Sequence, residues 1–199
     1  MVGVRSSFML KDIETLMRDH APARTRFTEL RDSLGKEGVA PSAPPQEIAD
    51  WISLTHTLGE EDRTLDWFEH NAAALAARPE LENILRGRLA PLLIERRRWS
   101  EVGRLYRDPL ATLQQSHQRL EQVRRDAVPP GMEAMHPRLI ESLEGLLRKD
   151  AGVMVASLVA AGREPEARAV VEEIRRVSPG ETTEQALAQT AREAGVQVP

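Results

Sequence analysis

The sequence predicts an all-α protein: a short stack of antiparallel helical hairpins preceded by a helical N-terminal segment. Three observations carry this. Of the 199 residues only 4% are aromatic and 29% are charged, with Ala, Leu, Glu and Arg frequent, a composition that favours helix over sheet. Apolar residues recur at three- and four-residue spacing, the period of a helix with one buried face. The turns expected at Gly59, Arg98, Gly131 and Gly162 lie about 31 to 39 residues apart, close to the period of paired-helix repeats.

Taken in order, Met9, Leu10, Ile13, Leu16, Met17 and His20 fall on one stripe, and Phe27, Leu30 and Leu34 continue one after Pro22 interrupts. Residues 1–34 thus read as two short helices or one kinked helix. Residues 35–45 collect most of the local helix breakers, ending in Pro44-Pro45. They divide the chain into an N-terminal helical segment (1–34), a Pro/Gly linker (35–45) and a helical-repeat domain (46–199). The first segment is free to pack on the array, to swap to another chain or to stay mobile, and the sequence does not choose among these.

Beyond the linker, Ile48, Trp51, Ile52, Thr55 and Leu58 line one helix, Gly59 turns the chain, and Leu65, Phe68, Ala72 and Leu75 line the next. A second hairpin follows Pro79. Its first helix carries Leu81, Ile84, Leu85, Leu89, Leu92 and Leu93, with Pro91 expected to bend it. A turn near Arg97-Arg98 leads to a short helix bearing Val102, Leu105 and Tyr106, stopped by Asp108-Pro109. Leu110, Leu113, His117 and Leu120 mark a helix ending before Val128-Pro129-Pro130-Gly131, and Leu139, Leu143, Leu146 and Leu147 resume the pattern after Pro137. Gly145 and Gly152 each cost about 1 kcal/mol inside a helix relative to Ala, so residues 138–161 read as one long kinked helix or two shorter ones, with a break the expectation. In the last helix Thr182 and Gln185 have capping-box spacing, Ala186, Leu187, Thr190 and Ala194 form the buried face, and Gly195 ends it.

The clearest hairpin lies around residues 154–179. Gly162 sits at its turn, Pro165 at an early helical position, Ala167 five residues after the turn where a small residue lets helices approach, Val171 and Ile174 on the buried face, and Ser178-Pro179 at the end. This unit resembles a tetratricopeptide repeat, and Trp99 and Tyr106 resemble a second copy in the stretch 85–109. The aromatic residues usual in the family's first helix are missing from the 154–179 unit. The resemblance implies a right-handed α-solenoid whose surface receives a peptide or protein.

The bulk numbers exclude several classes. A net charge of -4 denies the chain the global positive field of a general nucleic-acid binder. With no cysteine there are no disulfides, no thiol catalysis and no cysteine zinc sites. The first eight residues run into Lys11, Asp12 and Glu14 before any long apolar core, a poor secretory signal, and the longest apolar run, from Gly152 to Gly162, is far short of the ~20 residues that span a bilayer. The expectation is a soluble, cytoplasmic chain.

Motifs for catalysis are missing: there is no HExxH, GxSxG, GxxxxGK or GxGxxG. Glu133 and His136 have ExxH spacing, but no second copy supplies the remaining ligands of a bundle metal site. His117 lies on the stripe with Leu113 and Leu120 and is expected to be packed and hydrogen-bonded. Asp66 and His70 have the spacing of an ordinary surface pair. No enzyme, metal or cofactor is expected.

Charge is uneven. The first hairpin is acidic, with Glu47, Asp50, Glu60, Glu61, Asp62, Asp66 and Glu69, whereas the second is rich in arginine. Guanidinium groups clamp carboxylates bidentately, so a basic stripe suits an acidic peptide or a C-terminal carboxylate. The candidate partner-binding residues are Arg86, Arg88, Arg96, Arg97, Arg98, Trp99, Arg104 and Arg107. Trp51, Trp67 and Trp99 lie near apolar stripes, where packing is their first explanation and an exposed ring is a candidate anchor. The leading expectation is a non-catalytic module binding a peptide or protein. Alternatives are nucleic-acid or phosphate binding through Arg96, Arg97 and Arg98, an enzyme site assembled from dispersed residues, and a structural protein that dimerises through residues 1–34.

Overall fold

The computed structural model describes residues 15–17, 19–128, 131 and 133–199, and every regular element among them is helical. The expected contributions of Met9, Leu10 and Ile13, and of Pro129 and Pro130, lie outside the described residues. No described helix is long and apolar enough to cross a membrane. The chain forms two compact units, residues 1–92 and 93–199.

In the first unit α1 (Ala21–Leu34) packs on α2 (Pro45–Thr57), which packs on α3 (Glu61–Ala76); a 3-10 turn at Pro79–Leu81 leads into α4 (Glu82–Glu95), which runs on past Leu92. Pro22 and Pro45 sit in the first turns of α1 and α2, where a missing N–H costs nothing. Ile48, Trp51 and Ile52 of α2 meet the expected core with Leu65, Phe68 and Leu75 of α3, but Ala72 is exposed and Trp67 is buried in its place. The helix α4 continues through Pro91.

α1 turns an arginine inward. Arg31, only 2% exposed, donates to Asp32 Oδ1 at 2.6 Å and to Glu60 Oε2 at 2.7 Å, and Arg63 donates to the same Glu60 oxygen at 2.8 Å. Burial works against a charged Glu60, but the hydrogen bonds from Arg63 and Arg31 together outweigh it and hold the carboxyl below its ordinary value. A buried guanidinium is tolerable only with such partners. Leu30, on the outer side of the same helix, is half exposed.

Residues 35–44 are irregular, as their composition predicts, and they are held along their length within the first unit. The carbonyl of Gly35 accepts from Trp51 Nε1 at 2.9 Å, that of Val39 from Trp67 Nε1 at 2.7 Å, and those of Pro41 and Ala43 from Arg78 Nη1 at 2.6 and 2.7 Å. Arg63 donates to the Lys36 carbonyl. The rings of Trp51 and Trp67 meet at a tilt, centroids 5.4 Å apart, and a Cβ on Gly38 would fall 2.5 Å from the Trp67 ring. Both indole N–H groups are thus satisfied by the loop, as buried indoles require.

In the second unit α5 (Trp99–Arg104), α6 (Pro109–Arg125), α8 (Glu164–Val177) and α9 (Glu181–Ala194) all pack on α7 (His136–Ala160), and α6 also packs on α8. The break expected within 138–161 does not occur: α7 is one helix of 25 residues. Gly145 faces open space, whereas a Cβ on Gly152 would lie 2.7 Å from Thr190 Oγ1 and 3.0 Å from the Ala186 carbonyl oxygen, so the second glycine lets α9 approach closely. Burial of Ala151, Met154, Val155, Ala156 and Leu158 outweighs the low propensity of two glycines. α5 is closer still, since a Cβ on Gly103 would lie 2.3 Å from the carbonyl oxygen of Ser157. Arg163 locks this contact by donating from Nη1 to the carbonyls of Gly103, 2.7 Å, and Tyr106, 2.6 Å.

Three further expectations are corrected. Leu139 and Leu146 are exposed at 46% and 52%, because α6 and the neighbouring helices cover only the Leu147 side of α7. The last helix is not started by a Thr182 capping box: Gly180 precedes it, and Thr183 instead donates to the carbonyl of Ser178. His117 is half-buried rather than fully satisfied, its Nδ1 having no hydrogen-bond partner among the described residues.

One turn geometry recurs. At Gly59, Arg97, Gly162 and Gly195 a helix ends in a residue of positive φ, at 73°, 56°, 73° and 70°. Each time this residue's N–H bonds the carbonyl three back and the next N–H bonds the carbonyl five back, as in Gly162 to Val159 and Arg163 to Leu158, both 2.9 Å. After the first three, the next residue forms an ion pair three positions on: Glu60 with Arg63, Arg98 with Glu101, Arg163 with Glu166. Five residues after each of these turns the side chain is small and fully buried, Thr64, Val102 and Ala167.

Candidate functional site

The predicted basic residues fall into three groups. Arg86 and Arg88 belong to the first unit; Arg86 is held by Glu82 at 3.2 Å and by Asn83 at 2.7 Å, and Arg88 is half-buried. Arg98 and Trp99 are part of the fabric of the second unit. Arg98 grips Glu101 through two nitrogens, and Trp99 is 5% exposed, so its ring packs the core and is not an anchor for a partner. Arg96, Arg97, Arg104 and Arg107 are exposed. Arg97, Arg104 and Arg107 have no ion-pair or side-chain hydrogen-bond partner among the described residues.

Local structure places these guanidinium groups. The turn at Arg97 puts Arg96 and Arg97 before α5, and the helix ends at Arg104, about 9 Å further along its axis at 1.5 Å per residue. Arg107 follows, just before Asp108, whose carboxylate caps α6 by accepting from the Ala111 N–H at 2.9 Å. The short helix is tied down beneath them, because Gly103 rests on the α7 backbone and Arg163 donates to the Gly103 carbonyl and to that of Tyr106 just past the helix end. Exposed positive charge is thus carried on a rigid support.

What the sequence missed here is how many arginines are occupied. Arg31, Arg63, Arg78, Arg98 and Arg163 all hold carboxylates or backbone carbonyls of their own chain. The pairs after the turns were visible as opposite charges three residues apart, but the bonds from Arg78 and Arg163 to distant carbonyls leave no mark in sequence spacing.

The titratable candidates do not converge. His136 opens α7 and its Nε2–H donates to the Val123 carbonyl at 3.1 Å, while Glu133 lies in the preceding turn. His70 Nδ1–H donates to the backbone carbonyl of Asp66, not to its carboxylate. Among the described residues no three His, Asp or Glu side chains are placed to hold a metal ion. No protein-family model matches the chain, and no curated protein or solved structure matches it either.

Proposed function

We propose that the chain is a cytoplasmic, non-catalytic interaction module, a tetratricopeptide-like right-handed solenoid whose basic surface at α5 receives an acidic segment of a protein partner. The observation that carries this reading is the contrast among arginines. Most of those described above are neutralised by their own chain, whereas Arg97, Arg104 and Arg107 are exposed on a fixed support with no ion-pair or side-chain hydrogen-bond partner among the described residues. Such groups are ready to take carboxylates without first breaking an internal ion pair. The recurrent turn, with its buried small residue five positions on, supports tandem hairpins as the architecture.

Titration of a fluorescent glutamate-rich peptide, followed by anisotropy, tests the reading. The native chain should bind it, and a variant with Arg97, Arg104 and Arg107 all changed to Glu should not, with helical content unchanged by circular dichroism. Equal binding by both would remove the basic surface from consideration.

A further inference from the structure

Four helices end in the same left-handed turn, and three of them place glycine at the positive-φ residue: Gly59, Gly162 and Gly195. Glycine is expected there, because a Cβ crowds the following carbonyl at such a φ. The fourth turn has Arg97, with φ 56°, closed by the same two hydrogen bonds, from Arg97 N–H to Ile94 and from Arg98 N–H to Leu93, at 2.9 and 2.7 Å. Nothing local rewards the side chain for this strain. Arg97 is exposed and has no carboxylate or carbonyl partner among the described residues, unlike Arg98 beside it, which holds Glu101.

A non-glycine residue kept in a disfavoured conformation with no hydrogen-bond or ion-pair partner among the described residues is the pattern expected where the side chain serves a ligand. We propose that Arg97 is the anchor of the basic surface, a guanidinium held outward from a strained turn to clamp a carboxylate of an acidic peptide. This rests on the interaction reading above and names its central residue and the chemistry that residue takes. A carboxylate is favoured over a nucleic-acid phosphate because residues 93–199 carry 16 Lys and Arg against 16 Asp and Glu, so the unit has no broad positive field to track a polyanion. A bidentate fork on a rigid turn suits a single planar carboxylate.

The proposal couples two quantities that ordinarily move apart. Arg97→Gly relieves the backbone and removes the anchor, so it should raise Tm by roughly 2–4 °C while weakening the glutamate-rich peptide at least about fivefold. Arg97→Ala keeps the strain and loses the charge, so affinity should fall as far with no gain in Tm. Arg97→Lys keeps strain and charge but not the fork, and should bind between native and Ala. If Arg97→Gly binds as native does while the triple Glu variant has lost binding, the anchor is elsewhere and only this inference fails. If the native chain does not bind the peptide at all, the interaction reading fails with it. An unchanged Tm in Arg97→Gly would remove the premise of strain. A single-stranded RNA oligonucleotide that displaces the peptide and binds with a steep salt dependence would overturn the carboxylate assignment in favour of phosphate.

Discussion

Gly103 is where an alanine should do most harm for its size. The residue is helical, so backbone conformation is no obstacle, and helix propensity alone would reward Gly103→Ala by about 1 kcal/mol. Space decides the other way. The added Cβ would stand 2.3 Å from the Ser157 carbonyl oxygen, 2.8 Å from its carbon and 2.9 Å from the Ala161 Cβ, where real Cβ atoms stay beyond 3.0 Å. At least 0.7 Å of separation (3.0 minus 2.3) must come from moving α5 off the backbone of α7, since no flexible side chain is there to yield. Overpacking of this kind costs about 1–3 kcal/mol, and the shift also stretches the charge-assisted bonds from Arg163 to Gly103 and Tyr106, each worth about 1.5–3 kcal/mol. After the propensity gain the expected net loss is about 2–4 kcal/mol. Urea denaturation followed by far-UV circular dichroism measures it, with the m-value unchanged if only stability moves. Gly145→Ala is the matched control: it lies inside α7 with open space around its Cβ, and it should gain up to about 1 kcal/mol. A Gly103→Ala protein as stable as the native one would refute the close approach of α5 to α7.

Other perturbations have definite signs. Glu60→Gln removes the carboxylate shared by Arg31 and Arg63 and should cost about 2 kcal/mol, the usual worth of hydrogen bonds to a charged group, seen as faster amide exchange in α1. Because the Glu60 carboxyl is held below its ordinary value near 4.5, its contribution is present above that pH and is lost as pH falls through the lower folded value. An acid titration should therefore show α1 loosening only below about pH 4.5, and a loss beginning near neutrality would contradict the assignment. Arg163→Ala leaves the Gly103 and Tyr106 carbonyls without their donor and should cost about 3 kcal/mol or more of stability, read as a lower urea midpoint. Trp67→Phe keeps an aromatic ring but orphans the Val39 carbonyl, so amide exchange across residues 35–44 should accelerate more than in α3 itself.

Much of the fold was legible because periodicity and turn residues report local structure. Gly59, Gly162 and Gly195 end their helices as predicted, and Ile48, Trp51, Ile52, Ala167, Val171 and Ile174 are buried as their spacing requires. The errors have one physical source: distant partners decide what a local pattern becomes. Gly152 read as a breaker and serves as a contact surface for α9; Leu139 and Leu146 read as core and are exposed because no described helix covers that side of α7; the burial of Arg31 on Glu60 had no sign in the periodicity. The basic surface was visible as a cluster of arginines, but not which of them are occupied. Trp99 is buried and Arg98 is held by Glu101, while Arg97, Arg104 and Arg107 are exposed.

The loop at residues 35–44 bears on how the chain can be cut. Its composition is that of a flexible spacer, and Lys36 is the only lysine or arginine within it. A trypsin-like protease must take hold of the peptide group that follows lysine, yet the Lys36 carbonyl is already held by Arg63, and the carbonyls of Gly35 and Val39 are held by Trp51 and Trp67. Proteolysis there needs an opening of the first unit, so its rate reports the free energy of that opening rather than the accessibility of a tether. The native protein should stay uncut at Lys36 long after exposed loops elsewhere have been nicked.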